Sequence, residues 1–188
     1  PLDDPHQPRD AYAGAKLRQE SLCRAAGRPL WILRPGAVWG PGRSWHALLG
    51  FFAWKLHVQI NSPGELPLSH VAHTAWALVE AATRPPPGVT VLNVLDDDRP
   101  TRARFLRAHR QMAGWPKLTV PVPYGLWMTL VRLLAPVSAR LPGLLRASAV
   151  RARLMPLKWP NTALRAALGG EDIDTFEGMM ARTLEDRR

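Results

Sequence analysis

Tyr12 and Lys16 form the residue pair in this chain whose spacing best suits chemistry. On a helix, a Tyr-x-x-x-Lys spacing sets the phenol and the ammonium one turn apart on a single face. A phenol gives up its proton near pH 10 in water, and a neighbouring cation favours the phenolate, so such a pair suits acid/base work at a hydroxyl or carbonyl group. The spacing alone is unspecific, because a surface tyrosine four residues before a solvated lysine matches it as well. Arg43, Trp45 and His46 follow a Gly-Pro-Gly turn and are candidates for substrate contact, with ordinary packing as the alternative. His70 and His73 are three residues apart with no third ligand at a suitable spacing, and Cys23 is the single cysteine, so no metal site is expected. Asp96-Asp97-Asp98 lies between an apolar run and a helix cap and reads as a solvated turn, and Cys23 reads as a small buried hydrophobe.

The elements that position these groups follow from punctuation and periodicity. Residues 1–9 hold three prolines and read as a loop, with Asp10 capping a helix from Ala11 to Ala26 that Gly27 stops. Tyr12, Lys16, Glu20 and Cys23 share one face of that helix. The run PLWILRPG then predicts a strand buried on both faces of a parallel sheet, ended by Pro35 and Gly36. The loop AVWGPGRS after it occupies the carboxyl end of the strand, where α/β sheets place their chemistry. WHALLGFFAWKL predicts a moderately amphipathic helix. HVQINSPGELPLSHV predicts two short strands around Ser62-Pro63-Gly64, followed by a helix from Ala72 to Thr83. VTVLNVL reads as a second buried strand, and Thr101 as the cap of a helix reaching Met112, stopped by Gly114 and Pro116.

From Val120 the chain becomes poor in strand signals and rich in Leu, Arg and Pro. Leu126, Trp127, Leu130, Leu133, Leu134, Val137 and Leu141 make an apolar stripe beside Arg132, Arg140 and Arg146. Such a stripe could lie on an anionic membrane surface. It is read here as the inner face of a substrate lobe, which hints at an apolar or lipid-like substrate. Two short helices separated by Gly169-Gly170 close the chain.

Residues 12–42, YAGAKLRQESLCRAAGRPLWILRPGAVWGPG, resemble the active-site helix, next strand and following loop of the extended short-chain dehydrogenase/reductase family, which includes NAD-dependent epimerases and dehydratases. Tyr12, Lys16, Glu20 and the LRPGAVWGPG of residues 33–42 carry the match, with Trp39 in place of the customary tyrosine. SHVAHTAWALVEAA, VLNV, KWPNTALRAALGG and DTFEGMMARTLED extend it loosely over most of the chain, with Ala72 and His73 replacing the usual acidic residues. The resemblance implies NAD or NADP as cofactor and Tyr12 as the catalytic acid/base. It also implies that Lys16 bonds the nicotinamide ribose and favours the Tyr12 phenolate, that backbone groups of Pro35, Gly36, Ala37 and Val38 line the nicotinamide, and that two copies pair through the Tyr-Lys helix. The family's glycine-rich pyrophosphate loop has no counterpart in these residues, nor has the Ser or Thr that partners the tyrosine. With Pro1 in place of an initiator Met, the chain reads as a C-terminal fragment, inactive alone.

The expected fold class is therefore α/β, a partial Rossmann-like parallel sheet over residues 1–119 with interleaved substrate-lobe segments, then a mainly helical lobe over residues 120–188. The 188 residues and 46% hydrophobic content are enough to bury a core. The net charge of +10 comes from Arg and Lys spread along helical segments, without zinc-finger spacing or an RNA-binding motif, so nucleic acid is not an expected partner. No long apolar run is present, and a cytoplasmic protein acting on a small molecule is expected. The alternative from another class is a non-enzymatic, basic, membrane-associated or protein-interaction module on the same scaffold.

Overall fold

A computed structural model describes residues 11–141, 143–172 and 174–185. The loop expected at residues 1–9, the Asp10 cap and the last three residues lie outside the described residues. Helix α1 (Ala11–Ala25) leads through Gly27 into strand β1 (Leu30–Pro35), and a short strand β2 (Ala37–Trp39) follows at once. The segment expected to be only a loop thus contains a strand. Strands β3 (Gly50–Ala53), β4 (Leu56–Asn61) and β5 (Leu68–His70) come next, then helix α2 (Val71–Thr83) and strand β6 (Val89–Val94). Helix α3 (Arg102–Ala113) is capped by the Thr101 hydroxyl, which accepts from the Arg104 amide, and is closed by Gly114 in the left-handed conformation.

β1 and β6 pair in parallel, from Leu30 opposite Val89 to Pro35 opposite Val94, the mark of an α/β crossover with α2 between the strands. The predicted burial on both faces is only partly met. Trp31 and Leu33 turn toward a core of Ala77, Leu92, Val94, Leu164 and Leu168, but within β1 only Ile32 is fully buried. On the opposite face Arg34 meets Glu20 of α1, and α1 buries none of its own residues. Cys23 is accordingly exposed on that helix and not the buried hydrophobe expected from its type. β2 pairs in parallel with β5, Ala37 opposite Leu68 and Trp39 opposite His70. The class is α/β with small parallel sheets.

WHALLGFFAWKL is not a helix. After a 3-10 turn at Ala47–Leu49, β3 and β4 form an antiparallel hairpin with Gly50 opposite Gln59 and Ala53 opposite Leu56. Gly50 decides the outcome: its φ of 139° is rarely open to other residues, and a Cβ there would overlap the Val58 carbonyl oxygen. Phe51 and Phe52, both good strand formers, then alternate faces, Phe51 packing on Trp127 and Phe52 on Trp45. Strand β7 (Leu118–Pro123) joins β4 in parallel, Leu56 opposite Leu118, where the sequence carries few strand signals. Its two prolines hide it, and they are tolerated because β7 is the edge of the β3-β4-β7 sheet.

Helix α4 (Tyr124–Leu133) runs from the end of β7, and two 3-10 turns lead to helix α5 (Ala147–Leu154). Trp127, Met128 and Val131 face inward onto Ile60, Val150 and Leu154. Leu126, Leu130, Leu133 and Val137 do not pack in this core: they are exposed. Helix α6 (Thr162–Leu168) packs on β6, and helix α7 (Phe176–Glu185) packs on α3. The latter contact buries Phe105, Ala108, Phe176, Met179 and Met180 together with Trp39, Leu49, Leu66 and Leu68. Buried Arg102 stitches these parts together, donating to the carbonyls of Leu48 and Arg153, and burial lowers its pKa to about 10. No helix among the described residues is long and apolar enough to cross a membrane.

Candidate active site

One ion pair anchors the helix that carries the Tyr-Lys pair. Glu20 accepts from Arg34 Nε at 2.8 Å and from Nη2 at 2.6 Å, fixing the middle of α1 against the carboxyl-terminal end of β1. This bidentate contact holds the Glu20 carboxylate below its usual pKa. Lys16 and Tyr12 precede Glu20 by about one and two turns, roughly 6 and 12 Å along the helix axis. Tyr12 is 72% exposed. Lys16 Nζ donates to Gln19 at 3.2 Å and stands 5.8 Å from the centre of the Tyr12 ring.

The backbone from Pro35 to Val38 is held firmly. The Gly36 amide donates to Val94 O at 3.0 Å and the Ala37 amide to Pro67 O at 2.7 Å, which moves the chain from β1 into β2. Gly36 has no room for a side chain, since a Cβ would overlap the Pro67 carbonyl and meet Leu95 Cδ2 at 2.6 Å. Past β2, Arg43 is exposed and its backbone bonds Gly40. Trp45 packs among Phe52, His57, Phe105, His109 and Trp115. His46 Nε2 lies 3.4 Å from Val38 O, and burial pushes its pKa down. Of the candidate residues, His46 is thus joined directly to the Pro35–Val38 segment.

Sequence reasoning missed a polar knot at the carboxyl end of β6. Asp96 is buried: it accepts from the Trp39 indole at 2.8 Å, from the His70 amide at 2.7 Å, and lies 2.8 Å from His73 Nδ1. Asp97 accepts from Asn161, Arg165 and the Asp172 amide, and Asp98 from Arg104 and the Phe176 amide. These three are not a solvated turn. The donors come from different elements: those around Asp96 from β2, β5 and α2, those around Asp97 from α6 and the loop after it, and those around Asp98 from α3 and α7. The clue available in the sequence was Trp39, whose indole needs a buried acceptor.

The same knot supplies the partners that the His70–His73 spacing lacked. His73, Asp96 and Asp172 offer ligand atoms within 4.8 Å of one another. Those atoms already satisfy each other and Arg165, which donates to Asp172 at 2.6 Å, so the arrangement is a closed ion network. Burial lowers the basicity of His73, but its hydrogen bond with Asp96 and the charges of Asp172 and Asp96 prevail and raise its pKa. His70 moves the other way, lowered chiefly by burial.

No family model matches the chain, and no curated protein matches it. Solved structures do. MoeE5 in complex with UDP-glucuronic acid and NAD superposes with a TM-score of 0.62 at 17% identity, over 99% of this chain and 58% of that one. The NAD-dependent NDP-hexosamine 5,6-dehydratase TunA gives 0.63 at 19% identity, over 100% and 56%. RMD from Pseudomonas aeruginosa, complexed with NADPH, gives 0.63 at 17%, over 96% and 57%. The chain therefore shares the fold of more than half of each structure, a partial Rossmann-like α/β fold, and spans less than two thirds of their length.

Proposed function

We propose that the full-length protein is an NAD(P)-dependent oxidoreductase or epimerase/dehydratase that acts on a hydroxyl or carbonyl group of a small molecule. The observation that carries this reading is the fold shared with nicotinamide-bound enzymes, in which the helix bearing Tyr12 and Lys16 is tied to β1 by the Glu20–Arg34 pair. Tyr12 gives or takes the substrate proton. Lys16 bonds a ribose hydroxyl, and the backbone of Pro35–Val38 lines the ring. Arg43, Trp45 and His46 border the substrate. The cofactor, when bound, supplies hydride transfer.

The residues present fit the nicotinamide end of that cofactor. An exposed phenol and ammonium on one helix face suit a ribose and a reacting carbonyl, beside a rigid backbone segment. They do not fit its pyrophosphate, because no strand among the described residues is followed by a Gly-x-x-Gly-x-x-Gly loop. We therefore expect residues 1–188 alone to bind no dinucleotide and the full-length protein to bind it. The exposed α1 is the surface through which two copies would pair. Calorimetric titration of both chains with NADH and NADPH tests the reading. Micromolar binding to the full-length protein supports it; absence of binding there contradicts it and favours a non-enzymatic module.

A further inference from the structure

Helix α4 is apolar on two opposite sides, and only one is used by the fold. Trp127, Met128 and Val131 fill the core, whereas Leu126, Leu130 and Leu133, spaced to share the other side, are 64%, 40% and 74% exposed. Together with Val122, Trp127 and Thr129 they line a shallow groove of about 330 Å³. Val137, also exposed, continues the apolar surface past the helix end. An exposed apolar side of this kind is the mark of an interaction surface.

Charge identifies it. Between Asp98 and Glu171 the sequence contains no acidic residue, while Arg132, Arg140, Arg151, Arg153 and Lys158 all fall in or near this lobe. The elements packed on α4, namely β4, β7, α5 and the 3-10 turn Ala135–Arg140, carry no carboxylate. Arg132 is exposed and adjoins Leu133 of the leucine stripe in sequence. A second copy docked symmetrically here would set arginines against arginines with nothing to neutralise them. A bilayer surface with anionic headgroups offers both an apolar boundary for the leucines and phosphates for the arginines.

We propose that the outer side of α4 is a peripheral docking surface for anionic lipid bilayers. The inference is independent of the redox chemistry, which resides at α1 and β1.

Sedimentation of the full-length protein with phosphatidylcholine vesicles, with and without phosphatidylserine, tests it. Binding is expected only with phosphatidylserine and falls as salt rises. Arg132→Gln with Arg140→Gln weakens it about fivefold for each charge removed. Leu126→Asp with Leu130→Asp abolishes it, while circular dichroism stays unchanged because both positions are exposed. Should the leucine variant misfold, the arginine variant decides. Equal binding to both vesicle types, no binding to either, or a dimer in the ultracentrifuge that Leu130→Asp dissociates without vesicle binding would overturn the proposal.

Discussion

The Trp39 indole donates to Asp96 Oδ2 at 2.8 Å, joining the strand that follows the Pro35–Val38 segment to the loop that follows β6. Both side chains are buried, and the same carboxylate holds the His70 amide at the start of α2. One acidic residue thus anchors three elements around the carboxyl ends of the strands.

Removing the indole donor leaves this carboxylate short of a partner in a dry environment. Trp39→Phe should therefore cost about 1–3 kcal/mol beyond the change in packing. Urea unfolding measures it, and a loss of only a few tenths would show that the bond contributes little.

His73 makes the stability of the knot depend on pH. Its pKa is raised in the folded chain, so its stabilising contribution is complete below the unfolded value of about 6.5 and is lost as pH rises through the folded value. The difference in unfolding free energy between the native chain and His73→Gln should be largest in mild acid and shrink toward alkaline pH. A difference constant with pH would contradict this assignment.

Arg104 ties α3 to α7, bonding Asp98 at 2.5 and 2.7 Å and Glu177 at 2.8 Å. Its hydrogen bonds hold Asp98 below the usual carboxylate pKa, so this contribution is present above about pH 4 and is lost as pH falls through the folded value. All three groups are partly exposed, and screening limits the effect of Arg104→Gln to about 1 kcal/mol at neutral pH. Thermal unfolding at neutral and acidic pH should show the difference disappear in acid.

Gly50 separates the observed hairpin from the expected helix. Gly50→Ala forces a side chain against the Val58 carbonyl at a φ of 139°, and should destabilise by roughly 2–4 kcal/mol. A neutral substitution in chemical denaturation would mean that the hairpin relaxes freely.

The elements legible in the sequence were those whose signals are local. Gly27 ending α1, the apolar runs of β1 and β6, and Thr101 capping α3 each rest on residues close in the chain. The hairpin and β7 were hidden for opposite reasons. In the first, the apolar spacing of residues 45–56 matched a helical period while a single glycine conformation favoured strands; in the second, prolines masked an edge strand. The polar knot was illegible because its bonds join residues up to 78 positions apart, such as Phe176 and Asp98. Leu126, Leu130 and Leu133 were legible as an apolar stripe, but not the side on which it would lie.

The proposed chemistry stands or falls on the Tyr12 hydroxyl. Steady-state turnover and NAD(P)H titration of the full-length protein carrying Tyr12→Phe test it most directly. The account predicts a loss of turnover of at least about a hundredfold with dinucleotide affinity nearly unchanged. Turnover equal to that of the native protein would remove Tyr12 from the mechanism.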